Sequence, residues 1–310
     1  MLTAACAAKA PPAAKTRSPS RSRSACIHVA RVRFATRIQP LKASDPMDDI
    51  LLREDIGPVA VLRLNQPATR NALSTAMLTA LATQLDRVAA DPALRVVVIA
   101  ANGKAFSAGH DLREIQAARS AADGGAAAFT ALFALCATVM QKIASLPKPV
   151  IASVQGTAAA AGCQLAASCD MVVAVAEARF GVNGVNIGLF CSTPLVALSR
   201  KIPPAQAFEL AATGEFLDAH RAQTLGLVNR ITSPGALHSQ TMLLAQTLAQ
   251  KLPGALRIGK SSFAAESAPS VAQAYAIAGQ AMVENLMNPD TAEGITAFLE
   301  KRAPNWPRPI

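Results

Sequence analysis

Aromatic rings are scarce in this chain, with one Trp, one Tyr and ten Phe among 310 residues. That leaves little for the base stacking that holds single-stranded nucleic acid, and no nucleic-acid partner is expected. Charge is scarce too: 16% of residues are charged against 51% hydrophobic, a balance that favours a packed core over disorder. No uninterrupted apolar run reaches the roughly 18–20 residues that span a bilayer, so no membrane partner is expected either. The six cysteines (Cys6, Cys26, Cys136, Cys163, Cys169 and Cys191) form no CxxC pair and no disulfide framework. Reduced thiols in a reducing compartment follow from that usage. No GxGxxG follows a strand, so neither nicotinamide nor flavin is expected as a cofactor.

The net charge of +10 is unevenly placed. Residues 1–46 hold nine basic groups and one acid, leaving 21 basic and 19 acidic residues in 47–310. The remainder is nearly neutral, which removes the case for a basic binding face. An Ala-, Arg-, Ser- and Pro-rich, acid-poor leader without hydrophobic periodicity reads as disordered. It is either a mitochondrial transit peptide or sequence upstream of a true start at Met47. Pro11, Pro12, Pro19 and Pro40 suit an amphipathic presequence helix poorly, which favours the Met47 start and a cytoplasmic location. The mitochondrial matrix is the alternative.

From Met47 onward, strands and helices alternate. Residues 59–64 read as a half-buried strand, and Asn71 as the cap of a helix running to about Ala89. Residues 96–100, 149–154 and 171–176 are apolar runs of buried-strand type. Phe129, Leu132, Phe133, Cys136, Met140 and Ile143 fall at helical spacing. After about Ser192 the pattern is almost wholly helical. This is an α/β chain with a parallel or mixed sheet flanked by helices.

Two junctions carry chemical promise. Lys104-Ala-Phe-Ser-Ala-Gly-His-Asp-Leu-Arg-Glu-Ile follows the 96–100 strand, and Gln155-Gly-Thr-Ala-Ala-Ala-Ala-Gly-Cys-Gln-Leu-Ala follows the 149–154 strand. In each, small residues let a ligand approach the backbone, and a helix begins beyond. Free N–H groups at a helix start can hold negative charge, and two converging on one oxygen form an oxyanion hole. Each junction alone is weak evidence, since a small-residue turn before a helix is more often simple close packing. The i, i+4 pair His110 and Glu114 has metal-like spacing but no third ligand, so no metal is expected.

Taken together, these two segments, the Phe180-Gly…Gly188 stretch, Asn71-Ala-Leu and Ala222…Gly226-Leu-Val-Asn resemble the crotonase (enoyl-CoA hydratase/isomerase) superfamily. The resemblance covers essentially all of 47–310. It implies a β-β-α spiral core over 47–191 and a helical trimerisation lobe over 192–310. It also implies a homotrimer or hexamer, and an acyl-CoA thioester as substrate rather than a separate cofactor. Activity in fatty-acid or acyl-CoA metabolism follows. By position, the oxyanion N–H groups are those of His110 and Ala161. Arg70, Ala72, Leu73, His110, Asp111, Leu112 and Arg113 line the CoA path.

The chain departs from the resemblance where the two hydratase glutamates belong, with Gln164 in one place and Gly184 in the other. Hydration needs one group to activate water and one to protonate the α-carbon, and neither residue exchanges a proton near neutral pH. Classical hydration is therefore doubtful. Decarboxylation, isomerisation and non-catalytic acyl-CoA binding stand as alternatives. If both positions still face the substrate, restoring both glutamates should create hydration. Phe106-Ser-Ala-Gly-His-Asp is similar to the methylmalonyl-CoA decarboxylase branch, where the His110 side chain could bond a thioester or carboxylate. Ala160-Ala-Gly-Cys-Gln and Gly188-Leu-Phe-Cys-Ser-Thr-Pro resemble the enoyl-CoA hydratase domain-containing protein 3 group. Cys191 is a speculative acid or nucleophile, conditional on a lowered thiol pKa; Asn183 and Asn186 are candidates to hold water.

Overall fold

The computed structural model describes residues 49–267 and 269–306. The leader at 1–46 lies outside them. The chain opens with β1 (Leu51–Ile56), β2 (Val59–Leu64), α1 (Thr75–Ala90), β3 (Val96–Ala101), β4 (Ala105–Ser107), α2 (Leu112–Ala118) and α3 (Ala126–Ser145). Next come β5 (Val150–Val154), β6 (Thr157–Ala159), α4 (Ala161–Ser168), β7 (Met171–Val175), β8 (Arg179–Gly181) and α5 (Ser192–Leu198). Then follow α6 (Pro204–Thr213), β9 (Phe216–Asp218), α7 (Ala219–Thr224), β10 (Arg230–Thr232) and α8 (Leu237–Ala249). The last helices are α9 (Pro253–Ala265), α10 (Val271–Leu286) and α11 (Pro289–Leu299).

The large sheet runs β1-β2-β3-β5-β7-β10 and the small one β4-β6-β8-β9. Only β1 against β2 and β9 against β8 are antiparallel. Three successive turns, β3-β4, β5-β6 and β7-β8, each lay one strand in the large sheet and the next in the small one and then pass through helix, which is the β-β-α spiral of the crotonase fold. The apolar runs form the central strands because both their faces are covered, and every residue of β3 and β5 is buried. Helix α8 packs on β3, β5 and β7, while α1 packs on β2 and on α3. Phe106 and Phe180, both fully buried, anchor the small sheet at β4 and β8. Truncating a buried Phe to Ala typically costs about 3–5 kcal/mol.

Two expectations are corrected, and a third gains a qualification. The cap of α1 is Ser74, whose hydroxyl accepts from the Met77 N–H at 3.2 Å, not Asn71. Asn71 is fully buried, and its side-chain amide donates to the carbonyls of Asn102 and Ala105 at 2.8 and 2.9 Å. The stretch after Ser192 is not almost wholly helical, since β9 and β10 lie within it and extend the two sheets; helices alone follow only from Leu237. Finally, α3 is long and apolar enough to cross a membrane, with 20 residues and a hydropathy of 1.6. A single such helix is weak grounds for a span, because a core helix has the same composition, and Cys136, Val139, Met140 and Ile143 are buried in the protein core.

Candidate functional site

The two junctions meet face to face. At the first, β4 ends at Ser107, which is fully buried, and the chain turns at Gly109 with φ +93°. A side chain is disfavoured there twice over. The conformation is one that L-residues rarely adopt, and a Cβ on Gly109 would sit 2.9 Å from the Ala160 Cβ and 3.2 Å from the Ala161 nitrogen. At the second, Gly162 presses the start of α4 onto β4, where an added Cβ would stand 2.4 Å from the Ser107 carbonyl oxygen. Glycines on opposite loops thus interlock, and the small residues serve loop-to-loop approach. Ala160, between β6 and α4, holds φ 48° and ψ −120°, a sparsely populated conformation costing on the order of 1–3 kcal/mol. Its N–H donates to the Gly181 carbonyl at 2.8 Å, which fixes the entry to α4.

The segment ahead of α1 is zipped to the first junction. The Ala108 N–H donates to the Arg70 carbonyl at 3.0 Å, and the Leu73 N–H donates to the Gly109 carbonyl at 2.7 Å. Arg70, Ala72 and Leu73 therefore lie alongside Ala108 to His110, where Leu73 bridges His110 in parallel. Ala72 and Leu73 are buried, whereas Arg70, Leu112 and Arg113 are exposed and Asp111 is half-buried. Asp111 caps α2 by accepting from the Arg113 N–H at 2.9 Å, and its carboxylate pairs with the Arg113 guanidinium at 3.3 Å.

His110 sits at the centre. Its Nδ1 donates to the Leu73 carbonyl at 3.2 Å, and its Nε2 is buried with no partner. The ring stands edge-on to Phe133 of α3, centroids 5.6 Å apart. Burial holds the imidazole below its usual pKa against the opposing pull of the Leu73 carbonyl and the more distant Glu114. One turn along the same α3 face, the Cys136 thiol lies 3.9 Å from Oε1 of Gln164 on α4. Burial pushes that thiol up to about 11, so it remains protonated. Glu114 makes no pair with His110; its carboxylate accepts from the Thr75 N–H and hydroxyl at 3.0 and 3.2 Å. Among the described residues no group of three metal-ligating side chains occurs.

Gln164 is 5% exposed. Gly184 is buried within the turn 183–187, and its φ is not positive. Its missing side chain is explained by crowding. A Cβ there would lie 2.3 Å from the Leu189 carbonyl oxygen and 2.7 Å from the Cys191 sulfur. The space a glutamate stem needs is taken by the returning chain. The Cys191 thiol has its pKa raised by burial, with only a partial opposing pull from the Gly184 backbone. The condition for a nucleophilic Cys191 is thus reversed, and a packed, protonated thiol remains. Asn186 is exposed, and its amide donates to the Gly214 carbonyl at 3.3 Å.

Sequence reasoning placed Phe133 and Cys136 on a helix without linking them to His110 and Gln164; helical spacing was the only signal. A separate cleft of about 330 Å³ lies among Leu94, Arg95, Lys148, Leu248, Lys251 and Arg257. None of the candidate site residues lines it. Arg95 donates to the Ala249 carbonyl and Lys148 to those of Val88 and Asp91, so these cations cap the ends of α8 and α1.

Residues 54–309 match the enoyl-CoA hydratase/isomerase family. The mitochondrial enoyl-CoA hydratase domain-containing protein 3 of Xenopus laevis is 44% identical over 243 residues, covering 78% of this chain and 81% of the relative. An enoyl-CoA hydratase structure from Mycobacterium smegmatis is 47% identical, with a TM-score of 0.78 over 83% of this chain and 98% of its own. The human enoyl-CoA hydratase domain-containing protein 3 structure is 40% identical, with a TM-score of 0.79 over 83% and 100%. Shared spiral, shared length and this level of identity lead to one conclusion: the chain belongs to the enoyl-CoA hydratase/isomerase family.

Proposed function

We propose that the chain is an acyl-CoA thioester enzyme whose backbone N–H groups at His110 and Ala161 hold the thioester oxygen. The observation that carries this reading is the contact of Gly109 with Ala161, where an added Cβ would lie 3.2 Å from the Ala161 nitrogen. That contact sets the His110 peptide beside the first turn of α4. A thioester oxygen gains charge when the α-carbon becomes enolate-like, and preorganised donors stabilise it without rearrangement. Coenzyme A enters as part of the substrate, along Arg70, Ala72, Leu73, Asp111, Leu112 and Arg113. Arg70 and Arg113 are suited to its phosphates.

Acid–base chemistry is the altered part. Gln164 can orient water or an acyl oxygen but takes no proton, and Gly184 offers no side chain at all. We therefore assign a reaction that asks less of paired carboxylates, an isomerisation, a decarboxylation or a slow hydration, within acyl-CoA metabolism. The second reading, a non-catalytic acyl-CoA-binding protein, is favoured by the same two neutral residues.

Family members assemble, and a trimer or hexamer is the state inferred here. Exposed Phe263, Tyr275, Met282, Met287, Phe298 and Leu299 on α9–α11 and the turns between them supply apolar surface for it. Relatives that are mitochondrial proteins support the matrix alternative for location; they lend the cytoplasmic reading nothing.

Titration calorimetry with a panel of acyl-CoAs, paired with turnover assays, tests the proposal. Binding with turnover supports the enzyme, and binding without any turnover supports the second reading. Absence of acyl-CoA binding removes both.

A further inference from the structure

We propose that the His110 imidazole is a specificity-determining hydrogen-bond acceptor, selecting a hydroxyl on the acyl group and turning away a carboxylate in the same place. The inference rests on the thioester reading above and adds the chemistry of the acyl group.

The argument begins with the ring's tautomer. A carbonyl oxygen only accepts, so the 3.2 Å contact with Leu73 requires the proton on Nδ1. Nε2 is then a bare lone pair while the ring is neutral. Of the groups around it, Leu73 and Phe133 are uncharged, Asp111 faces Arg113, and Glu114, whose pull toward a second proton is the smallest influence on the ring, is bonded to Thr75. Burial disfavours the imidazolium further. The result is a buried acceptor with no donor, a state that native structures rarely leave unmet.

Position gives the unmet acceptor its use. The ring is carried on the residue whose own N–H is assigned to the thioester oxygen, so the two functions lie one side chain apart. Phe133, which stands against the ring, is itself partly exposed, and a ligand reaches the buried Nε2 only if that ring gives way. On the neighbouring turn of the same α3 face, Cys136 contacts the Gln164 side chain, whose amide supplies a donor. An acyl hydroxyl gives its proton to Nε2 and accepts from a donor such as Gln164. A carboxylate has no proton to give, so it can bond Nε2 only by drawing a second proton onto a ring whose burial disfavours that charge. The geometry thus argues against the malonyl-type decarboxylation named among the alternatives above.

The test compares 3-hydroxybutyryl-CoA, butyryl-CoA and methylmalonyl-CoA by titration calorimetry on the full chain and on His110→Phe, which keeps the backbone N–H. Wild type is expected to bind 3-hydroxybutyryl-CoA about tenfold more tightly than butyryl-CoA, and methylmalonyl-CoA most weakly. In His110→Phe the hydroxyl preference should collapse to about one. Equal wild-type affinities for the first two, tightest binding of methylmalonyl-CoA, or a preference that survives in His110→Phe overturns the inference while leaving thioester binding intact. Failure of all three ligands to bind wild type removes the thioester reading itself, and the inference with it. Should His110→Phe not fold, ¹⁵N NMR of histidine-labelled wild type decides. An unprotonated Nε2 that shifts with 3-hydroxybutyryl-CoA and not with butyryl-CoA is expected; a protonated Nε2 in the free protein, or no selective shift, refutes it.

Discussion

Gly184→Ala adds one methyl group, and its cost can be worked from two contacts. The new Cβ would start 2.3 Å from the Leu189 carbonyl oxygen and 2.7 Å from the Cys191 sulfur. An ordinary carbon–oxygen contact is about 3.3 Å, so the peptide at 189 must retreat by roughly 1 Å. It is not free to do so, because the Leu189 N–H donates back to the Gly184 carbonyl at 2.9 Å. Overpacking of this kind costs about 1–3 kcal/mol, with each kcal/mol worth about 2–4 °C in a domain of this size. Gly184→Ala should therefore lower the melting temperature by roughly 2–12 °C in a calorimetric scan. Adding Cys191→Ala should recover only part of the loss, since the carbonyl clash persists. The same contacts predict that Gln164→Glu with Gly184→Glu gains no crotonyl-CoA hydration, measured by loss of the enoyl absorbance. That result would correct the expectation that restoring both glutamates creates a hydratase. An unchanged melting temperature for Gly184→Ala, or a folded double variant hydrating more than tenfold above wild type, would falsify the reasoning.

Other outcomes follow from the same geometry. Gly109→Ala should weaken butyryl-CoA binding at least tenfold in calorimetry, because its Cβ drives the two junctions apart at a φ of +93°. Lys260 of α9 donates to the carbonyls of Ile143 and Lys148 and to the Asp170 carboxylate at 2.8 Å. Lys260→Met, which leaves that half-buried carboxylate with the Val150 N–H as its remaining partner, should cost about 1–3 kcal/mol in urea unfolding. The pKa of folded His110 lies below 6.5, so the unfolded chain takes the proton first as pH falls. Stability contributed by the neutral ring is present above pH 6.5 and lost below it. Wild type should thus lose more melting temperature than His110→Phe between pH 7 and pH 5. A chain starting at Met47 should match the full chain in melting temperature, because the leader has too little apolar sequence to join the core.

What the sequence displays is what repeats locally. The buried runs at 96–101, 150–154 and 171–175 announce themselves, because both faces are apolar and a periodicity of any kind is unnecessary. The small-sheet strands β4, β6, β8 and β9 have three residues each, too few to alternate, and only the family resemblance implies them. Asn71 and Ser74 are equally good caps on paper. The partners that claim Asn71 are carbonyls 31 and 34 residues away, invisible to any local rule. Gly184 reads as an empty catalytic position, yet its crowding comes from the chain returning at 189–191. The bare nitrogen of His110 likewise depends on the Leu73 carbonyl, 37 residues upstream.

The central claim is that two backbone N–H groups on interlocked junctions receive the thioester oxygen. A crystal structure with bound butyryl-CoA tests it most directly. The account predicts the thioester oxygen about 3 Å from both the His110 and the Ala161 nitrogens. A bound butyryl-CoA whose carbonyl oxygen faces neither nitrogen, or whose acyl end lies in the cleft beside Arg95 and Lys251, would contradict it.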